Sequence, residues 1–498
     1  MPRGRSQTDY DVRRTTTSVR RARLFESEDA GEAEVWPQRR AGGDGDGADG
    51  AVPTPAAAAA PKKAAPSFLR RGHGLTYIAL FLFTVILYAR PAEFYPSPWT
   101  ASIAFIAGVV VLCFFLPTQL ALEGNVTARP REVNLVLLFC LTGALSVPLA
   151  ISPGEAWATF SDTFIRCVFI FVVMVNVVRT EARLRGLLFL ALAVSIWLSF
   201  GAINDYRLGL MTVEGYRVGG RGSGIFGNSN DMALHLVTVL PVTVALLLGS
   251  RRLLGKIFYG ACAALLISAI VLTYSRGAFI GLLVVFAFMA FKLGRGHRLG
   301  VLLLCFLVVA GLLLFAPGNY GRRVLSIFVP SLDPVGSSDS RRGELIRSIQ
   351  VAVRHPLLGI GMGNYATQMS YRGLVTHNSY TQVAAEMGAA ALVLYTMFVV
   401  APLRRLGQIA RETFAARRES RYYYLAVGLQ ASLLAYMVTS FFASVAYLWY
   451  VYYLVAYAVC LRRLYESETG REVVPERQKA KEEKRGRRVA ARLAGSEG

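Results

Sequence analysis

The stretch 257-IFYGACAALLISAIVLTYSRGAFIGLLVVFAFMAFK-292 is one long apolar run interrupted by a short Tyr-Ser-Arg-Gly link at 274–277. Its two arms, 257–273 and 277–293, are each close to the length an α-helix needs to cross a hydrocarbon core of ~30 Å. They read as consecutive membrane spans with Arg276 at the boundary between them. An arginine in that position is costly unless it snorkels to the interface or pairs with a ligand.

Runs of this kind recur along the chain. Twelve candidate spans lie near 74–89, 99–116, 133–151, 162–178, 186–204, 231–249, 257–273, 277–293, 299–316, 381–402, 423–442 and 445–461. The last two are joined by very few residues. Across the 498 residues, 54% are apolar and 17% charged, less charge than a soluble domain of this size carries; the mean hydropathy is +0.42. Helix-length apolar runs, rather than short alternating segments, exclude a barrel. The expected fold is an all-α polytopic membrane protein with about twelve transmembrane helices.

The formal charge of +22 raises the question of nucleic acid, but its distribution answers it. No aromatic-basic platform is present. The basic residues gather in both tails and in alternate connections: Arg129 and Arg131; Arg179, Arg183 and Arg185; Arg251, Arg252 and Lys256; Lys292, Arg295 and Arg298; and Arg404 to Arg421. By the positive-inside rule these connections and both termini face the cytoplasm. Residues 1–72 carry the low-complexity segment 51-AVPTPAAAAAPKKAAP-66 and read as a disordered basic tail; no apolar h-region marks a signal peptide. Residues 462–498 read as a charged tail. The six cysteines, Cys113, Cys140, Cys167, Cys262, Cys305 and Cys460, all lie in apolar runs without CxxC spacing, so neither a disulfide framework nor a metal site is indicated.

The remaining connections face outward, and two of them are long, near 205–230 and 317–380. Both carry arginines against the topological bias. The stretch 215-GYRVGGRGSGIFGNSND-231 combines glycines, which let backbone approach a ligand, with the planar forks of Arg217 and Arg221. It fits either an anion site or a flexible loop with solvated arginines, and it is no Walker loop. In 341-RRGELIRSIQVAVRHPLLGIGMGNY-365, Leu345, Ile346, Ile349 and Val353 recur at helical spacing. This predicts an amphipathic helix lying on the membrane or the bundle, ended by Pro356 and followed by a glycine turn. His355 reads as a surface histidine. In 375-VTHNSYTQVAAEMG-388, His377 stands where the chain re-enters the membrane. Its imidazole suits proton transfer near neutrality, although a structural histidine is the plainer reading. Asn378 is placed to cap the next helix. Glu386 follows nine residues later, about half a turn out of phase and ~13.5 Å along a helix, so it cannot orient His377 directly.

Taken together, 221-RGSGIFGNSND-231, 274-YSRGA-278, 355-HPLLGIGMGNY-365 and 377-HNSYTQVAAEMG-388 resemble the O-antigen ligase family of bacterial envelope proteins, in order and in sidedness. That family includes O-antigen ligases, polysaccharide polymerases and protein O-glycosylating enzymes. The resemblance covers roughly 75–460 and leaves out both tails. It implies a GT-C-like glycosyltransferase of the bacterial inner membrane with a large periplasmic loop containing short helices. The donor it implies is a glycan on undecaprenyl diphosphate, and the acceptor a glycan, lipid A core or protein; neither cofactor nor metal is expected. The family's catalytic arginines fall on Arg221 and Arg276 and its loop histidine on His377. Arg217, Asn228, Asn230 and Asn378 are the further residues expected to bind substrate. In this reading the arginines stabilise the departing diphosphate and His377 orients or deprotonates the acceptor hydroxyl. A twelve-span flippase for lipid-linked oligosaccharide is the alternative from another class. No internal repeat supports it, and apart from Arg166 the polar residues gather at the outer boundary rather than the midplane.

Overall fold

The computed structural model describes residues 72–470 except 212, 214, 221–225, 294–298 and most of 301–319 and 327–336. The tails expected at 1–72 and 462–498 fall largely outside the described residues, and so does the span expected near 299–316. Among the described residues the regular structure is all helical.

Eleven of the expected spans recur as helices, in the expected order. They are α1 (Gly74–Ala89), α2 (Pro98–Glu123), α3 (Arg131–Ser146), α4 (Pro153–Val177), α5 (Glu181–Arg207), α6 (Ser229–Gly249), α7 (Leu253–Leu272) and α8 (Arg276–Leu293). The short α9 (Tyr320–Leu325) and α10 (Ser337–Arg354) follow. Then come α11 (Ser379–Glu412), α12 (Arg421–Thr439) and α13 (Trp449–Thr469). Nine helices among the described residues are long and apolar enough to cross a membrane, which leaves the expected count of twelve unconfirmed. α3 has only 16 residues, and α13 closes on Arg462, Arg463, Glu466 and Glu468, which dilute its apolar character. The chain is a multi-pass, all-helical membrane protein.

Local chemistry sets the helix ends. Ser97 and Thr100 form a reciprocal capping box at α2, and Gly124 ends that helix in the left-handed conformation that glycine adopts without strain. Thr180 and Ser420 cap α5 and α12. α4 passes through a π-helical turn at Phe160–Phe164.

At one end of the bundle the basic connections meet. Arg179 pairs with Glu123. Arg183 donates to the carbonyls of Val177 and Gly72, at 2.9 and 3.3 Å. Arg421 bridges Glu181 and Glu468, at 2.7 and 3.1 Å. The fully buried Arg462 and Glu132 form a two-bond fork at 3.0 and 3.2 Å. The connections that share a charge pattern in the sequence therefore share an end of the fold.

The opposite end holds α10 and the glycine turn. α10 begins eight residues before Leu345, the first apolar residue of the expected helix, and stops at Arg354, just short of Pro356. Of the two placements open to it, the apolar stripe takes the outward one. Glu344, Ser348 and Val351 are buried against the bundle, whereas Ile346, Ile349 and Val353 are exposed. Polar bonds decide which edge docks. Glu344 accepts from the Tyr365 hydroxyl (2.8 Å) and from Ser370 (3.2 Å), and Ser348 donates to Thr381 (2.9 Å). His355 is exposed, as expected.

The glycine turn has a structural task. α11 is broken at Gly388, whose backbone (φ 85°, ψ −179°) is not helical. The turn fills the break: Ile360 N donates to Ala385 O (3.0 Å), Gly361 N to Glu386 O (3.0 Å), and Ala389 N to Pro356 O (2.8 Å). Backbone groups freed at membrane depth must find such partners. Glu386, buried at 3% exposure, accepts from Tyr365 N at 3.3 Å. Its partner is this graft, which agrees with the helical-phase argument against pairing with His377.

Candidate functional site

Three helix N-termini converge at this end: α6, α8 and α11. Asn228 caps α6 by accepting from Asn230 N at 2.8 Å. The Asn230 side-chain oxygen then accepts from Arg217 Nη2 (2.8 Å) and from the Ser275 hydroxyl (3.0 Å). Arg217 is 2% exposed, and its Nε donates to the Thr273 carbonyl at 2.9 Å. The guanidinium thus fastens the loop before α6 to the Tyr-Ser-Arg-Gly link. That loop also closes on itself, Gly220 N donating to Phe226 O at 2.8 Å. Arg221 lies between these two residues and outside the described ones.

Arg276 opens α8 and is only partly exposed. It does not simply snorkel to solvent: its Nη1 donates to Ser338 (2.6 Å) at the start of α10 and to Ser326 (3.0 Å) just after α9. Close by, Arg323 lies over the Tyr216 ring at 5.5 Å, and Tyr216, Tyr274 and Tyr320 pack edge to face.

His377 occupies the left-handed region, with φ 51°. Few non-glycine residues sit there, histidine and asparagine more often than most. Both neighbours are fixed. Thr376 shares a hydrogen bond with Ser444 (2.8 Å) and donates to Asn378 O (2.9 Å). Asn378 caps α11 by accepting from Tyr380 N and Thr381 N, at 2.9 and 3.0 Å. Ser379 donates to Ala443 O (2.7 Å) and accepts from Val445 N (2.9 Å). The His377 imidazole is half-buried. Burial, reinforced by the Arg341 guanidinium and opposed by the Glu344 carboxylate, lowers its pKa to about 4. Near neutral pH it is uncharged and able to accept a proton.

Residues 440–445, between α12 and α13, tie the two sides together. A Cβ on Gly277 would lie 2.8 Å from the Phe442 Cβ, so the residue after Arg276 packs directly on this segment. The same segment holds Thr376 and Ser379 on either side of His377. α10 is a second link, with Ser338 under Arg276 and Arg341, one turn on, acting on His377. Arg341, Glu344, Ser326, Ser338 and residues 440–445 were not singled out in the sequence. The one signal for the last was the very short connection between the final two spans. Among the described residues no cluster of His, Cys, Asp and Glu is arranged to hold a metal ion.

Residues 261–396 match the family model described as O-antigen ligase. The matched region runs from α7 through Arg276, α10, the glycine turn and His377 to beyond the break in α11. It supports the family resemblance carried by the motifs and, with it, a glycosyltransferase-like activity on lipid-linked glycan. No curated protein matches the chain.

Proposed function

We propose that the protein transfers a glycan from a lipid-diphosphate donor, undecaprenyl diphosphate by family resemblance, to an acceptor hydroxyl at the outer face of the bacterial inner membrane. The observation that carries this reading is the wedge 440–445, which packs on the residue after Arg276 and holds Thr376 and Ser379, on either side of His377. The acceptor oxygen attacks the anomeric carbon as the bond from that carbon to the phosphate oxygen breaks. The hydroxyl proton passes to His377, and the lipid diphosphate leaves with the bonding pair. Negative charge grows on the departing oxygens, and Arg276 and Arg221 stabilise it. Arg217, Asn230 and the capping Asn228 fix the ground on which the diphosphate rests, and Asn378 fixes the start of α11 beside the acceptor. The attack is direct and inverting; a trapped glycosyl-enzyme intermediate would overturn that step.

The test is transfer by purified protein from a lipid-diphosphate oligosaccharide supplied in mixed micelles, with glycan, lipid A core and peptide acceptors in separate reactions. Product in one of them is expected and identifies the acceptor. No product in any, together with donor crossing vesicles that contain the protein, would replace the transferase by a flippase. Arg276→Ala is expected to lower kcat roughly 10²–10³-fold, as loss of a charge-stabilising donor does. Arg276→Lys should recover only part of this, because an ammonium lacks the planar fork. Wild-type rates in both variants would remove Arg276 from the site.

The pH profile supplies an independent check. A general base works in its neutral form, and the acid limb of kcat/KM reports its pKa in the free enzyme. For His377 the limb should fall as pH drops through about 4, well below the ordinary histidine value. Arg341→Gln removes a charge that disfavours the imidazolium, so the limb should move to higher pH. An unmoved limb would show that another group titrates.

A further inference from the structure

A cavity of about 1030 Å³ forms a groove between the α1–α2 hairpin and α3–α4. Its lining follows α2 from Thr100 to Leu116, a rise of ~24 Å and most of the ~30 Å hydrocarbon depth. The walls are largely apolar, with Phe83, Ile103, Val109, Leu112 and Phe169 among them and Gly108 leaving room. The charged lining residues are Arg90, Glu93, Asp162, Arg166 and Asp231. Arg90 and Glu93 follow directly on the end of α1 that lies away from the basic connections. Arg166 stacks over Phe105 at 5.8 Å, about two turns into α2 from that same end.

These charges do not make a phosphate site. Arg90 pairs with Glu93 at 2.6 Å and Arg166 with Asp162 at 3.0 Å, which leaves Asp231 as a third carboxylate. A lipid seated here must place its phosphates elsewhere. Asp231 belongs to the first turn of α6, next to Asn230, which holds Arg217 and Ser275 beside Arg276. The groove therefore ends one residue from a contact of the site.

We propose that this groove holds the polyprenyl tail of the donor, the diphosphate passing Asp231 to reach Arg276. This rests on the transferase reading above. The tail lies along α2 through most of the membrane, while the acceptor approaches from the His377 side.

The experiment compares two donors with the same glycan diphosphate, one long-tailed and one short-tailed, on the full chain and on Ala104→Trp, which narrows the groove. The variant should raise KM for the long-tailed donor about tenfold or more. It should leave KM for the short-tailed donor unchanged. Equal effects on both donors would overturn the proposal. Because the variant can disturb folding, a photo-crosslinking residue at Leu112 is exposed to radiolabelled long-tailed donor, with Leu254 on the outer surface of α7 as control. Labelling at Leu112 alone, competed by unlabelled donor, supports the groove. Competition by acceptor lipid or by bulk phospholipid assigns it to those lipids and overturns the proposal. If the wild-type protein shows no transfer, the transferase reading fails by itself, and the crosslinking still decides what occupies the groove.

Discussion

His377→Gly is expected to lower the transfer rate roughly 10²–10⁴-fold, the range for loss of a general base, with the fold intact. Glycine is the informative replacement because of the backbone. With φ at 51°, alanine would combine loss of the imidazole with strain in the left-handed region. Glycine occupies that region freely, so the side chain is the only thing removed. The flanking bonds, Thr376 to Ser444 and Ser379 to Ala443, do not involve the imidazole and should persist. The measurements are kcat with saturating donor and thermal unfolding in detergent. Added imidazole should restore part of the rate, since it can enter the vacated space and accept the proton. His377→Asn, which also tolerates the left-handed backbone, should fold normally and stay slow. A wild-type rate in the glycine variant would leave His377 a structural turn residue and move the base elsewhere.

The sequence made His377 and Arg276 visible because the bilayer makes polar residues at an apolar boundary expensive. The same constraint made the alternation of the helices legible, since span length and Lys/Arg placement are imposed by the membrane. What sets the site was harder to read. Arg341 and Glu344 are ordinary members of a charged helix until the fold carries them to His377. The wedge 440–445 works through serine hydroxyls, backbone carbonyls and one phenylalanine, none of which stands out in an apolar sequence. Which face of α10 docks was open in the sequence for a physical reason. Hydrophobic periodicity points inward only when water lies outside, and lipid is as apolar as the residues it meets. There Glu344 and Ser348, which need partners, turn inward, and Ile346, Ile349 and Val353 are left exposed.

The break in α11 was equally hidden, because Glu-Met-Gly-Ala-Ala reads as uninterrupted helix, and it carries the largest expected stability effect. Gly388→Ala should destabilise the protein by about 2–6 kcal/mol, adding backbone strain of about 1–3 to overpacking of similar size. At φ 85° and ψ −179° the backbone lies where essentially only glycine is found. A Cβ there would sit 2.2 Å from the Leu357 carbonyl oxygen and 2.8 Å from that of Pro356. Both are backbone atoms that cannot rotate away, so the turn must lift off. Lifting it breaks the bonds from Ile360, Gly361 and Ala389 and takes Tyr365 N from the buried Glu386. Residues 379–387 carry the start of α11 and lie directly after His377, so activity should fall together with stability. Gly373→Ala is the matched control: its φ is also positive at 67°, but nothing lies within 4 Å of the added carbon. That variant should cost only the local strain and keep its activity. If Gly388→Ala unfolded no earlier than Gly373→Ala, the graft of the glycine turn into α11 would not be what holds His377 in place.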